Sequence, residues 1–317
     1  MFQRTLKSSI GCVGIGVHSG RRASLALLPA PAGHGIVFRR SDLDGDVRLP
    51  ARFDAVTDTR LCTMLSHPDD ASIRIGTVEH LMAALAGAAI DNVLIEIDGA
   101  ELPILDGSSA PFLFLLDCAG TVEQAAFRQV IQVLRPVRVA DREGHAFAEL
   151  RPQTYADSRD FDMTLSIDFA AAAIGRQALS LTLSSQSFRE GLAPARTFVL
   201  AGEIEQLRQA GFARGGSLDN ALVVDGADVL NPAGLRMPDE FVRHKMLDAV
   251  GDLALAGAPL VGRFVAHKSG HSLNNSLLRA LFADDANWRL APMSAGKALR
   301  AYTAPPADYA VPELQHA

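Results

Sequence analysis

The chain has 317 residues and a formal net charge of -6 at neutral pH. Hydrophobic residues make up 48% of it and charged residues 21%, a composition that indicates a folded globular protein and excludes a disordered or fibrous one. The acidic balance argues against general binding of nucleic acid, because such proteins carry a basic surface. This length predicts two domains or one large domain.

The cysteine content and the length of the apolar runs indicate the cellular compartment of the protein. Its three cysteines, Cys12, Cys62 and Cys118, are too few for a disulfide framework and too scattered for a cysteine-based zinc site. The most apolar run, residues 81–90, is far shorter than the roughly 20 residues that span a bilayer. The first residues have no convincing signal-peptide cleavage site. We therefore expect a cytoplasmic protein without a transmembrane segment. We also expect it to be a monomer.

The first half of the chain predicts short strands followed by helices. Alternating, glycine-punctuated segments at 11–18, 23–28 and 35–38 are typical of strands and turns. An alanine- and leucine-rich helix is expected over residues 77–89, with Thr77 as its N-cap. Residues 92–97 predict a β-branched strand, and residues 110–119 a second buried helix.

The second half repeats this order. Strands are expected at 130–139, 146–150, 162–169 and 260–266, and helices at 203–210, 239–256 and 275–282. The repeated order predicts an α+β fold of two similar domains, each a sheet packed on helices. We expect the domains to cover residues 1–126 and 127–303, with a disordered, proline-containing tail at 304–317.

The most informative stretch is HKMLDAVGD, residues 244–252. His244, Asp248 and Asp252 are spaced four apart and so share one helix face. A histidine and an aspartate one turn apart can bind one metal ion. Asp252 lies about 12 Å along the axis from His244, so it could instead orient another side chain. A solvated polar stripe is the alternative, but the apolar neighbours indicate a buried helix, in which unpaired charges are costly.

Glu79 and His80 are a second candidate pair, in the segment TVEHLMAALAG. A carboxylate beside a metal-binding histidine suits hydrolysis, because the metal lowers the pKa of a water molecule and the carboxylate takes its proton. The H-E-x-x-H motif of zincin peptidases is absent. The alternative is a helix-start glutamate stabilised by the helix dipole, next to an ordinary core histidine.

Two further residues are candidates from their surroundings. His271 lies in SGHSLNN, which predicts a loop after a strand, and it could act as a general acid or be an ordinary turn histidine. Thr197, in ARTFVL, could donate to an oxyanion or be a plain strand residue. The glycines of GCVGIG lack dinucleotide-binding spacing, which excludes a Rossmann site.

Taken in order, these segments resemble one family, the zinc-dependent UDP-3-O-acyl-N-acetylglucosamine deacetylases of lipid A biosynthesis. The matching segments of the first half are QRTLK, GVHSG, DTRLCTML, TVEHLMAALAG and IDNVLIEIDGAELPILDGSSAPF. Those of the second half are ARTF, GGSLDNALVVD, LNPAGLRMPDEFVRHKMLDAVGDL and KSGHSLNNSLLRAL. They run through almost the whole chain.

The resemblance implies a zinc ion, Zn2+, held by His80, His244 and Asp248. It implies Glu79 as the general base and His271 as the acid that protonates the leaving amine. The implied substrate is a small molecule, an acylated UDP-N-acetylglucosamine that loses its acetyl group. The implied fold has the helices sandwiched between two sheets and the active site in the cleft between the domains.

The resemblance also implies supporting roles. Asp252 would orient His271, Thr197 would hold the oxyanion, and Lys245 would lie near the water and the nucleotide phosphates. A fatty chain needs an apolar groove, for which the candidates are Phe198, Leu200, Ile204 and Phe212; ordinary helix-face packing is the alternative for these four. Phe169 is a candidate to stack on the uracil.

The chain departs from the family pattern at two places. Val199 and Leu200 follow ARTF where relatives often have glycine and an aromatic residue, and Ala146 stands where many have a basic residue. Two rival hypotheses are a dehydratase–deacetylase fusion, for which we expect the chain to be too short, and a silent binding module. Glu79 argues against the module, because a binder does not need a carboxylate beside a metal ligand.

Overall fold

The computed structural model describes residues 1–155 and 158–293, so the tail expected at 304–317 lies outside the described residues. Among the described residues, no helix is long and apolar enough to cross a membrane. The helices are α1 Glu79–Gly87, α2 Ala110–Ala119, α3 Ser185–Gly191, α4 Ile204–Gln209, α5 Glu240–Ala254 and α6 His271–Phe282.

The first half contains one large sheet. Its strands follow the order β2-β3-β9-β4-β5, and β4 and β9 run parallel while the other neighbours are antiparallel. A small sheet of β6, β7 and β8 and the pair β1–β10 complete this half. The strands are β1 Phe2–Leu6, β2 Ile10–Ile15, β3 Arg22–Pro29, β4 Ile36–Arg40, β5 Arg48–Pro50, β6 Val56–Asp58, β7 Met64–Ser66, β8 Arg74–Ile75, β9 Val93–Ile97 and β10 Thr121–Phe127.

The second half contains a seven-stranded sheet in which β19 is central. It pairs with β11, β13 and β14, while β12, β15 and β20 lie farther out; β16, β17 and β18 form a separate small sheet. The strands are β11 Gln129–Val133, β12 Val137–Ala140, β13 Phe147–Arg151, β14 Phe161–Asp168, β15 Arg176–Thr182, β16 Phe198–Leu200, β17 Leu222–Asp225, β18 Asp228–Val229, β19 Leu260–His267 and β20 Trp288–Pro292.

The helices α1 and α5 lie against each other between the two large sheets. α2 packs against β2 in the first half, α5 packs against β14 and β15, and α6 packs against β12 and β13. Eight of the nine residues of α1 and twelve of the fifteen of α5 are buried. A helix covered on all sides has no polar face to show to water, which explains the continuous apolar run of α1. This arrangement confirms the predicted two-domain α+β fold with its helices between the sheets.

One glycine sets how closely α1 and α5 approach. A β-carbon at Gly251 would lie 2.0 Å from the carbonyl oxygen of Glu79 and 3.0 Å from its Cα. Only a residue without a side chain allows the backbone of α5 to touch the first turn of α1 in this way. The contact places the functional residues of both helices side by side.

The structure corrects three expectations about local structure. Thr77 is not an N-cap: the helix begins at Glu79 after Val78, and Thr77 has a φ of 58° and donates its hydroxyl to Glu101 Oε1 at 3.3 Å. His271 is not in a loop but is the first residue of α6, which therefore begins four residues before the predicted start. Residues 121–127, for which the sequence predicts no element, form β10 and pair with β1. That strand is largely exposed, so it lacks the apolar alternation that reveals a strand.

We expect Gly251→Ala to lower the free energy of unfolding by about 1–3 kcal/mol, because the added methyl group overlaps the Glu79 carbonyl. Denaturant unfolding measures this. Gly202→Ala is a matched control, since a β-carbon there meets no atom within 4 Å. Equal stability of the two variants would contradict the close packing of α1 on α5.

Candidate active site

Three side chains from α1 and α5 converge on one point. The Nε2 atom of His80 lies 3.1 Å from Nε2 of His244 and 3.5 Å from Oδ1 of Asp248. Each of the three residues offers a ligand atom within 4.8 Å of the other two. All three are buried, with at most 4% of their surface exposed. The structure thus brings together the three residues expected to bind a metal.

The spacing and chemistry of these atoms fit a divalent cation. Ligand atoms about 2.0–2.1 Å from a tetrahedral ion lie about 3.3 Å from one another, close to the separations seen here. Asp248 Oδ1 is buried and has no hydrogen-bond partner, which is costly unless a positive charge meets it. The site therefore could hold a metal, in which two imidazoles and one carboxylate would be the protein donors.

The protonation states of these residues suit metal binding. Burial lowers the pKa of His244, which favours the neutral imidazole that a metal requires. Burial opposes ionisation of Asp248, but the neighbouring His244 and Lys245 hold the pKa of this carboxyl well below its usual value. Lys245 Nζ lies 3.1 Å from Asp248 Oδ2. Asp248 is accordingly a carboxylate at neutral pH.

Glu79 is the carboxylate that directly precedes His80 at the start of α1. It is 3% exposed, and its Oε2 accepts a hydrogen bond from the backbone N–H of Thr63 at 3.0 Å. Burial raises the pKa of Glu79 above its ordinary value, although His271 and His80 oppose the shift. A carboxylate with a raised pKa is a stronger base than an exposed one, so the position and the environment suit proton abstraction.

His271 faces Glu79 and is held by Asp252. Its Nδ1 lies 2.9 Å from Asp252 Oδ2, and its Nε2 lies 3.9 Å from Glu79 Oε1. Burial alone would lower the pKa of His271, but the carboxylates of Asp252 and Glu79 raise it to about 9. The imidazole is therefore protonated at neutral pH and can donate a proton.

Two residues of this site were missed by the sequence analysis. Asn274 donates to Asp252 Oδ2 at 2.9 Å, and Thr63 donates its hydroxyl to Asp252 Oδ1 at 2.6 Å. Asn274 is three residues after His271, so a helix beginning at His271 would have placed both on one face. Thr63 had no such signal, because 189 residues separate it from Asp252.

These residues border a cavity of about 940 Å³, within the size of small-molecule sites. Phe198 forms part of its wall, 5.8 Å from Lys245 Nζ, in a cation–π arrangement. The sequence-predicted residues that line the cavity are Glu79, His80, Thr197, Phe198, Ile204, His244, Lys245, Asp248 and His271.

Three residues predicted to contact the substrate, Phe169, Leu200 and Phe212, are not among the described residues that line the cavity. Leu200 and Phe169 pack against the hydrophobic core and are not among the described residues that line the cavity. The ring of Phe169 stands edge-on to Phe198 at 5.5 Å. Phe212 stands edge-on to His18 at 5.5 Å, and His18 does line the cavity. The structure thus places Phe169 and Phe212 one layer behind the cavity wall.

A buried ion pair connects the Thr197 segment to α5. Glu240, the first residue of α5, accepts hydrogen bonds from the backbone N–H of Arg196 at 3.0 Å and from its Nε at 2.8 Å. Burial opposes ionisation, but Arg196 and the backbone N–H of Arg236 hold the pKa of Glu240 below its usual value. Because both side chains are almost fully buried, this pair holds the segment that contains Thr197 against the start of α5.

Two loops from opposite halves meet at the rim of the cavity. A β-carbon at Gly215 would lie 2.3 Å from the backbone oxygen of Gly16. Glu101 supports the first loop by accepting the backbone N–H groups of His18 at 2.7 Å and Ser19 at 2.8 Å. The rim is therefore built from backbone packed on backbone.

Comparison with known proteins identifies the family. The family model for UDP-3-O-acyl N-acetylglycosamine deacetylase (LpxC) matches residues 3–283. The UDP-3-O-acyl-N-acetylglucosamine deacetylase of Shewanella frigidimarina is 47% identical over 292 residues, 92% of each chain. The proteins of the same name from Idiomarina loihiensis and Myxococcus xanthus are 48% and 47% identical, over 90% and 92% of this chain and 91% and 89% of theirs. The resemblance found in the sequence is confirmed, and the chain belongs to the UDP-3-O-acyl-N-acetylglucosamine deacetylase family.

Proposed function

We propose that this protein uses a zinc ion to hydrolyse the N-acetyl group of UDP-3-O-(3-hydroxyacyl)-N-acetylglucosamine, releasing acetate in lipid A biosynthesis. The observation that carries the proposal is the convergence of His80, His244 and Asp248 beside Glu79 and His271 in one cavity. Relatives that are nearly half identical over nine tenths of the chain carry the name of this activity.

Zinc is the metal that this donor set favours. Two imidazoles and a carboxylate, with room for a further ligand, are the usual donors of catalytic zinc sites. When bound, the ion supplies Lewis-acid polarisation of the acetyl carbonyl and lowers the pKa of a water molecule.

Glu79 and His271 carry the two proton transfers. Glu79 is the general base that takes a proton from the attacking water, a role that its raised pKa suits. An amide nitrogen leaves only when protonated, and His271 is the acid that supplies this proton from Nε2. Asp252 accepts from Nδ1 and so keeps Nε2 directed toward Glu79 and the reacting atoms.

The remaining wall residues bind and orient the substrate. Thr197 donates its hydroxyl to the oxygen of the acetyl carbonyl as negative charge develops there. Lys245 adds positive charge on the same side, close to Asp248. Phe198 and Ile204 form the apolar wall for the acyl chain, while Leu200, Phe212 and Phe169 support that wall from behind.

We also propose that the enzyme acts as a monomer in the cytoplasm and that its domains divide between residues 126 and 127. The division is supported by the two large sheets, since each draws its strands from one side of Arg128 in the described parts of the chain. Size-exclusion chromatography tests the monomer: a dimer mass would contradict it.

Asp248→Ala should abolish both stoichiometric zinc and acetate release, because it removes one of three ligands. Metal analysis and acetate release from the acylated UDP-sugar measure the two effects, and Asp46→Ala, at an exposed carboxylate, is the control. Tight binding of the substrate by the native protein without acetate release would instead favour a silent binding module. Full activity of the Asp248 variant would defeat the metal assignment.

His271→Ala should lower kcat by about 100–10,000-fold, the usual contribution of a general acid, while zinc content stays near that of the native protein. The expectation follows because His271 lies against Glu79 and Asp252 rather than in the group of three metal ligands. An equal collapse of zinc content would make His271 a ligand and the acid role wrong.

The rate should fall as pH rises through about 9. The pKa of His271 is raised to about 9, so the acid is protonated below that pH and loses its proton above it. The pH dependence of kcat measures this limb. The residual activity of His271→Ala should not fall in this pH range. If kcat of this variant still falls as pH rises through about 9, another group must be responsible.

A further inference from the structure

Thr63 contacts two carboxylates of the site at once. Its backbone N–H donates to Glu79 Oε2 at 3.0 Å, and its hydroxyl donates to Asp252 Oδ1 at 2.6 Å. The side chain is 1% exposed, and Thr63 is not among the described residues that line the cavity. Thr63 therefore contacts Glu79 and Asp252 directly but does not itself border the cavity.

The hydroxyl restrains Asp252 where the other contacts do not. Asp252 Oδ2 receives both His271 Nδ1 and Asn274 Nδ2, each at 2.9 Å. Both of these partners lie on α6 and bind the same oxygen. They therefore do not stop the carboxylate from rotating about that oxygen. Thr63 meets the opposite oxygen, Oδ1, and this contact fixes the plane of the carboxylate. The plane of Asp252 in turn sets the direction of the His271 ring.

The bond also crosses between the two halves of the protein. Thr63 directly precedes β7 in the first half, whereas Asp252 and His271 belong to α5 and α6 in the second half. Glu79, the proposed base, lies in the first half together with Thr63. Thr63 thus contacts the proposed base directly and the proposed acid through Asp252, so it can set the position of one relative to the other.

We propose that Thr63 is a positioning residue of the reaction, whose hydroxyl fixes Asp252 and, through it, the His271 ring relative to Glu79. The inference rests on the proposed function, because it assigns Thr63 to the acid and base of that reaction. A purely structural role would instead limit the effect of the hydroxyl to the stability of the fold.

The test compares Thr63→Val, Thr63→Ser and Thr5→Val, using acetate release, zinc content and unfolding. Valine keeps the shape and the backbone N–H to Glu79 but removes the hydroxyl; serine keeps the hydroxyl. Thr5 is a matched control, since its buried hydroxyl donates to the Asn92 carbonyl at 2.7 Å and neither residue is among the described residues that line the cavity.

Thr63→Val should lower kcat by about 10–100-fold with zinc content unchanged. Its KM should stay within about twofold, because Thr63 does not touch the cavity. Thr63→Ser should restore most of kcat, and Thr5→Val should lower stability without lowering kcat. In an Asp252→Ala background, Thr63→Val should change kcat by less than about twofold, because the partner is already gone.

Unchanged kcat in Thr63→Val, or an equal fall in the Asp252→Ala background, would overturn the positioning role while leaving the deacetylase function intact. A kcat loss that serine does not reverse would also overturn it. Failure of the native protein to release acetate would overturn the proposed function, and this role with it.

Discussion

The backbone contact between α5 and the first turn of α1 is the constraint on which the site depends. Gly251 permits it, since a β-carbon there would overlap the Glu79 carbonyl. Glu79 and His80 come from one helix, and His244, Asp248 and Asp252 come from the other. The side-chain atoms of His80, His244 and Asp248 lie 3.1–3.5 Å apart. If a methyl group pushed α1 and α5 apart, these atoms would no longer meet, because a packed core does not stretch to compensate.

The same close packing concentrates charge in a dry place. Glu79, Asp248 and Asp252 are three buried carboxylates. The cationic side chains that contact them are Lys245, at Asp248, and His271, at Asp252. Burial raises the pKa of Glu79, whereas its neighbours keep Asp248 ionised, so adjacent carboxylates have different proton affinities. Environment rather than residue type thus gives Glu79 and Asp248 different affinities for a proton.

The periodicity of the sequence predicted which residues share a face of one helix. It did not predict the contacts between segments that are distant in the chain. The four-residue spacing of His244, Asp248 and Asp252 placed all three on one face of α5, as the structure has them. The meeting of His80 with His244 spans 164 residues, and only the family resemblance pointed to it. Thr63 escaped notice because its partners are set by the packing of the two halves rather than by its neighbours in the chain.

Predictions from the sequence were also wrong for two residues near the starts of helices, Thr77 and His271. Thr77 has the side chain of a good N-cap, but its positive φ and its bond to Glu101 assign that hydroxyl to supporting the rim loop. His271 was expected in a loop because Gly270 precedes it, and that glycine is the N-cap of α6. The Thr77 hydroxyl thus took a partner from a distant segment. Glycine is accepted both in loops and at N-caps, so the sequence around Gly270 suited either structure.

The meeting of Gly16 with Gly215 limits how this site can diversify. A β-carbon at Gly215 would overlap the backbone oxygen of Gly16, and one at Gly16 would overlap the carboxylate of Glu101. Even an alanine at either position would therefore disturb the border of the cavity. Leu61 and Leu218 also border the cavity, but their side chains are nearly half exposed and have space to vary. Substitutions at Leu61 and Leu218 can therefore change the shape of the cavity border, whereas the junction of Gly16 with Gly215 fixes it.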